Sequence, residues 1–162
     1  MNFKKPKFWD LKKPNLLSHL LLPFTIFPLI NNFLLKLKSK RKLKEIKTIC
    51  VGNIYLGGTG KTPLTIKLFD ILKDLKIKIA TAKKYYLSQT EEQIMLKNKT
   101  NFITSETRKK IIEKSIREKI DLIIFDDGLQ DKNLNYDIQF VCFDSDTWIG
   151  NGRLIPSGPL RE

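Results

Sequence analysis

The stretch Ile49-Cys50-Val51-Gly52-Asn53-Ile54-Tyr55-Leu56-Gly57-Gly58-Thr59-Gly60-Lys61-Thr62-Pro63 decides the fold of this 162-residue chain. Ile49, Cys50 and Val51 form a short apolar run of the kind a buried strand uses. Past the glycines, Leu64, Leu68, Ile71, Leu72 and Leu75 recur at helical spacing. Pro63 falls in the first helical turn, where a missing N–H costs nothing. A glycine-rich turn between a strand and a helix lets the backbone wrap a phosphate and aims free N–H groups at it. Gly57, Gly58, Thr59, Gly60, Lys61 and Thr62 are therefore the candidate phosphate cradle. Lys61 is placed to reach the β- and γ-phosphates and Thr62 to hold Mg²⁺.

The strict P-loop pattern requires glycine five residues before Gly60, and that position is Tyr55. The reading is thus a variant loop, with a ligand-free glycine turn as the plain alternative. A second element favours the cradle. Ile120 to Phe125 is an apolar run ending in Asp126-Asp127-Gly128. An acid at the carboxyl end of a buried parallel strand is where nucleotide-binding sheets place a Mg²⁺-coordinating carboxylate. Asp126 is the candidate for that role. Asp127 is a candidate for holding metal-bound water or orienting a nucleophile. The competing reading is a simple Asp-Gly turn.

Working outward, Ile77–Ala82 reads as a strand and 83–100 is polar without a clear period. Asn101–Ile103 reads as a short strand. Ser105 is placed to cap a helix over Glu106–Lys119, and Ile138–Phe143 reads as a further strand. The alternation predicts an α/β fold, a P-loop NTPase-like three-layer parallel sheet with an N-terminal membrane-associated helical segment. Residues 1–45 are expected to form that segment and 46–162 the core. Gly150–Glu162 is a Gly/Pro-rich stretch, read either as a disordered end or as a carrier of two phosphate-binding arginines.

Charge is uneven. The net charge is +13, and residues 1–47 hold 12 of the 30 lysines and arginines against two acids. Within them Leu16–Leu35 is an apolar stretch of 20 residues, just long enough to span a bilayer. Pro23, Pro28, Asn31, Asn32, Ser18 and His19 argue against spanning, and both flanks are basic, whereas a spanning helix favours one side. A segment lying in the interface of an anionic membrane fits better, anchored further by Phe3, Phe8 and Trp9. A hairpin packed on the core is the remaining alternative. No small-residue cleavage site follows, which argues against a signal peptide. Cys50 and Cys142 lie in strand patterns and read as core residues of a reduced, cytoplasmic protein. No His/Cys cluster suggests a metal centre. No stacking-aromatic motif suggests nucleic acid, and no protein partner is identifiable.

Together these residues resemble the tetraacyldisaccharide 4′-kinase family, the lipid A 4′-kinases of Gram-negative bacteria. The likeness rests on Val51-Gly52-Asn53 leading into Gly57–Pro63, on Asp126-Asp127-Gly128-Leu129-Gln130, and on Gly150–Glu162. Phe8-Trp9 and Leu21-Leu22-Pro23 resemble the family's membrane-associated entry. The resemblance implies ATP and Mg²⁺ as cofactors and the 4′-hydroxyl of a lipid A disaccharide precursor as phosphate acceptor. It also implies a place at the cytoplasmic face of the bacterial inner membrane.

There are departures. Lys83-Lys84-Tyr85-Tyr86 stands where the family has Arg-Gly-Tyr-Gly-Arg, and Asp131 where it has His. Thr90-Glu91-Glu92-Gln93 matches a Gly-Asp-Glu-Pro motif, which puts Glu91 at the family's catalytic aspartate. Lys61, Glu91 and Asp127 are the candidate catalytic residues, with Glu91 or Asp127 as the base. The family carries a second lobe beyond the stretch matched here, so residues 1–162 alone are expected to turn over little or not at all. A P-loop NTPase switch and a non-catalytic nucleotide-binding remnant are the alternatives.

Overall fold

The computed structural model describes residues 5–37, 41–42, 45–131 and 133–161. The chain folds as two compact units. One comprises 40–52 and 60–141, and the other 1–39, 53–59 and 142–162. Helices α1 (Leu16–Leu20) and α2 (Ile26–Lys36) belong to the latter.

The first unit is a parallel sheet with helical crossovers. Its elements in chain order are β1 (Arg41–Lys42), β2 (Lys47–Gly52), α3 (Lys61–Leu72), β3 (Ile79–Lys84), α4 (Thr90–Lys99), β4 (Phe102–Ser105), α5 (Arg108–Arg117), β5 (Leu122–Asp126), β6 (Leu134–Asn135) and β7 (Ile138–Val141). Five strands pair in the order β4-β3-β5-β2-β7, all parallel. β1 and β6 make a separate two-residue parallel pair.

The α3 and α4 crossovers carry the chain one way across the sheet, and α5 brings it back. Right-handed connections then put α3 and α4 on one face and α5 on the other. Side-chain parity agrees. Cys50, Ala80, Ala82, Ile123 and Phe125 share one apolar cluster with Ile111 and Ile112 of α5. Each such buried isoleucine contributes about 1.5–3 kcal/mol. Alternate positions point to the opposite face, which puts Lys83 and Asp126 on the same side as α3.

Several boundaries move from the sequence expectation, for reasons visible in the ladder. β3 runs to Lys84 instead of stopping at Ala82, because Lys83 and Lys84 pair with Thr104 and Ser105 of β4. That pairing claims Ser105 for the strand. The cap of α5 passes to Thr107, whose side chain accepts from the Lys110 amide, and the helix starts at Arg108 instead of Glu106. β7 ends at Val141 opposite Gly52, where β2 ends, and so falls short of Phe143. The polar 83–100 region, which shows no clear period in sequence, contains a 3₁₀ turn at Leu87–Gln89 and then α4.

The second unit holds α1 and α2 together with 3₁₀ turns at Lys7–Trp9 and Leu22–Thr25. The 142–161 stretch, expected within the core, is ordered here against the N-terminal residues. The Ser18 hydroxyl donates to the Ser157 carbonyl at 2.6 Å, and the Ser157 hydroxyl returns the bond to the Ser18 carbonyl at 2.6 Å. Asn151 Nδ2 donates to Ser18 Oγ and to the Ser157 carbonyl. Trp9 is buried and its indole N–H donates to the Pro156 carbonyl at 3.0 Å.

Candidate active site

Gly60 caps α3 with φ of 73°, a left-handed conformation that disfavours any side chain. The next two residues carry the motif's chemistry. Thr62 is buried, and its hydroxyl donates to Asp126 Oδ2 at 2.8 Å. Asp126 is the last residue of β5, paired in register with Val51 of β2. The threonine at the start of the helix and the acid at the end of the neighbouring strand therefore meet because both lie at the carboxyl edge of the sheet. Thr65, one turn further along α3, places its hydroxyl 3.4 Å from Asp126 Oδ1.

A third group, outside the candidate site residues read from the sequence, joins them. Lys83 is 1 % exposed and its ammonium donates to Asp126 Oδ2 at 2.8 Å. It also ion-pairs with the carboxylate of Glu92 in the first turn of α4. Burial works to lower the Lys83 pKa, but the Asp126 and Glu92 carboxylates outweigh it and hold the ammonium above the ordinary lysine value. Removing one partner from such a buried pair costs about 3–5 kcal/mol. The available signal was a lysine directly after the run Ile79-Ala80-Thr81-Ala82, two residues from Thr81 and so in phase with the α3-side positions.

Asp127 adopts φ of 60°, unusual for a non-glycine residue. Its amide donates to the Val51 carbonyl at 2.8 Å, and its own carbonyl accepts from Arg108 Nη2 at 2.6 Å. Arg108 also pairs with Asp131 at 3.1 Å. Thus held, the Asp127 carboxylate lies 3.7 Å from Lys61 Nζ. Glu91 is exposed at the start of α4; its neighbour Glu92 is the one turned toward Lys83.

The loop residues 53–59 lie in the second unit. Tyr55, at the position where the strict motif has glycine, is buried, with Lys5 and Asp10 hydrogen-bonded to its hydroxyl. It forms an antiparallel bridge with Leu160, and Leu56 N–H donates to the Pro159 carbonyl. The departure at Tyr55 is therefore a packing anchor. Gly57 has φ of 151°, and a Cβ on Gly58 would meet nothing within 4 Å. Thr59 Oγ1 is buried without a hydrogen-bond partner among the described residues. Arg153 Nη2 lies 3.3 Å from His19, and the Arg161 amide donates to the Ile54 carbonyl.

These residues fit the two groups the motif implies. A glycine loop with open space at Gly58 and an orphaned buried hydroxyl on Thr59 suits a phosphate chain. Among the described residues no three His, Cys, Asp or Glu side chains gather as a metal cage. The oxygen set is Thr62 and Asp126, with Glu92 joined through Lys83. Such a small set suits Mg²⁺, which commonly uses one or two carboxylates together with substrate phosphates.

Comparison with known proteins agrees with this geometry. The family model for tetraacyldisaccharide-1-P 4′-kinase matches residues 16–162. The tetraacyldisaccharide 4′-kinase of Pelagibacter ubique is 50 % identical over 164 residues, covering 100 % of this chain and 51 % of that protein. That of Rickettsia conorii is 32 % identical over 173 residues, covering 97 % and 53 %. The chain thus spans about half the length of these curated relatives. A crystal structure of LpxK from Aquifex aeolicus in complex with ATP aligns with a TM-score of 0.68 at 27 % identity, over 91 % of this chain and 55 % of that one. The parallel sheet, the Thr62–Asp126 contact at its carboxyl edge and a family match over nearly the whole length place this chain in the tetraacyldisaccharide-1-P 4′-kinase family.

Proposed function

We propose that this chain takes part in the ATP-dependent phosphorylation of the 4′-hydroxyl of a tetraacylated glucosamine disaccharide 1-phosphate, a lipid A precursor. The observation that carries the reading is the pairing of Thr62 with Asp126 beside the Lys61–Asp127 pair, at the edge where α3 begins. Residues 57–62 bind the nucleotide phosphates. Lys61 neutralises charge developing on the transferred phosphoryl group. Thr62 and Asp126 hold Mg²⁺, which when bound supplies further positive charge to the phosphate oxygens. Asp127 or Glu91 accepts the proton of the attacking hydroxyl. Phosphoryl transfer of this kind rests on positioning and electrostatics more than on covalent chemistry.

The same reading places the chain at the cytoplasmic face of the bacterial inner membrane. Among the described residues no helix is long and apolar enough to cross a membrane. α1 and α2 nevertheless expose Leu16, Leu20, Phe27, Leu29, Phe33 and Leu34. An apolar face of this size beside basic residues suits an interfacial position on anionic lipid. The test is transfer of labelled γ-phosphate from ATP to the disaccharide lipid, by the chain with and without a relative's remaining half supplied in trans. Labelled lipid in either case supports the reading. Release of inorganic phosphate alone supports a nucleotide switch, and nucleotide binding with neither product supports a non-catalytic remnant.

A further inference from the structure

Among the described residues of the sheet unit, the most unusual group for its surroundings is Lys83. Its side chain is 1 % exposed, as is fitting for a core residue, yet it ends in a full charge. That charge is not solvated. It lies against Asp126 Oδ2 at 2.8 Å and against Glu92 of α4. Thr62 donates to the same Asp126 oxygen, and Thr65 approaches the other. The carboxylate that would face a metal is thus already engaged by an internal cation and two hydroxyls.

The charges decide what this means. Asp126 and Glu92 together carry two negative charges, and Lys83 cancels one of them. A divalent cation arriving alone meets one net negative charge and an ammonium held on its principal ligand. A divalent cation arriving on a nucleotide brings its own compensating phosphates. We infer that Lys83 is a built-in counter-cation of Asp126 and Glu92, a positioning residue that makes the site take a divalent metal with nucleotide phosphates and discriminate against the metal alone. The inference rests on the reading of Thr62 and Asp126 as the metal-holding pair. Through Glu92 the same ammonium ties the start of α4 to β3 and β5, so the metal site and the Glu91-Glu92 turn share one anchor.

Mn²⁺ alone is the probe, followed by electron paramagnetic resonance and calorimetry on the full chain without nucleotide. The wild type should bind it weakly. Lys83→Met should bind it at least about tenfold more tightly, because the repulsion of a nearby unit charge is gone. Lys83→Arg should stay weak, since it keeps the charge. Adding Asp126→Asn to Lys83→Met should abolish the gain. Mn²⁺ should also raise the melting temperature of Lys83→Met more than that of the wild type, because it replaces the lost partner of a buried carboxylate. If Lys83→Met is unfolded in metal-free buffer, Mn²⁺ should restore its far-UV circular dichroism; failure to restore it overturns the inference. Equal or weaker Mn²⁺ affinity in a folded Lys83→Met likewise overturns it. A non-hydrolysable ATP analogue separates the two readings. If neither protein takes up Mn²⁺ even with the analogue, the metal reading itself fails. If both do so but Lys83→Met gains nothing with Mn²⁺ alone, only the role of Lys83 fails.

Discussion

At the residue scale, Lys61 faces Asp127 across 3.7 Å from the first position of α3. A charge-assisted contact to phosphate is worth about 1.5–3 kcal/mol. Lys61→Ala should therefore weaken MgATP binding roughly 10- to 150-fold by calorimetry, and unchanged affinity would contradict the cradle. Cys50 offers a test of the core beneath. Burial pushes its thiol up to about 12, with only partial relief from Arg108 and the Gly128 amide. The folded state thus favours the protonated thiol. Its contribution to stability is complete below the ordinary thiol range and is lost as pH rises from there toward 12. At pH 8.5, iodoacetamide should modify Cys50 far more slowly in native protein than in urea, as read by peptide mass spectrometry. Comparable rates would mean that the β2–β5 layer opens readily.

At the scale of elements, the turn after β5 is a tight joint. A Cβ on Gly128 would lie 2.7 Å from Cys50 Sγ and 2.9 Å from Tyr136 Oη, whose hydroxyl donates to the Gly128 carbonyl. Gly128→Ala is expected to cost about 1–3 kcal/mol by overpacking, seen as a lower urea midpoint. Gly58→Ala meets open space and should leave that midpoint nearly unchanged while weakening nucleotide binding. The two alanine variants so distinguish a glycine kept for packing from one kept for a ligand. Much of this level was legible from residues alone. Ile49–Val51 and Ile120–Phe125 announced buried strands, and the Leu64 to Leu75 spacing announced α3. What escaped was set by neighbours. No local signal in 101–107 tells that Ser105 is held by Lys84 across the ladder, leaving Thr107 to cap α5. Lys83 escaped for the same reason, since its partners lie 9 and 43 residues away.

At the scale of the whole molecule, the unit built from 1–39, 53–59 and 142–162 makes the N-terminal segment more than an appendage. Trp9 and Ser18 bond to Pro156 and Ser157, so deleting the segment would strip the tail of its partners. Attachment is better tested by exposed positions. Phe27 and Phe33 are 69 % and 62 % exposed on α2, and Phe27→Glu with Phe33→Glu should leave the fold intact. Sedimentation with anionic vesicles should fall sharply in that double variant. High salt should weaken the wild type as well, each basic side chain near the surface being worth about 1 kcal/mol. Undiminished sedimentation of the variant would exclude α2 as the contact.

The sequence by itself determined the parallel α/β frame, the Gly57–Thr62 loop at a strand–helix junction and the acid at the end of β5. All three are signals carried within a few residues by apolar period, glycine and a terminal carboxylate. Only the tertiary structure decided that Thr62 meets Asp126, that Lys83 stands between Asp126 and Glu92, that Arg108 holds Asp127 toward Lys61, and that Tyr55 is tied to the tail at Leu160. The Tyr55–Leu160 bridge lies outside the sheet strands, whereas Thr62–Asp126 and Lys83–Asp126 join residues 64 and 43 positions apart through strand order and side-chain parity. Neither property is written in any single segment, because both depend on which strands become neighbours.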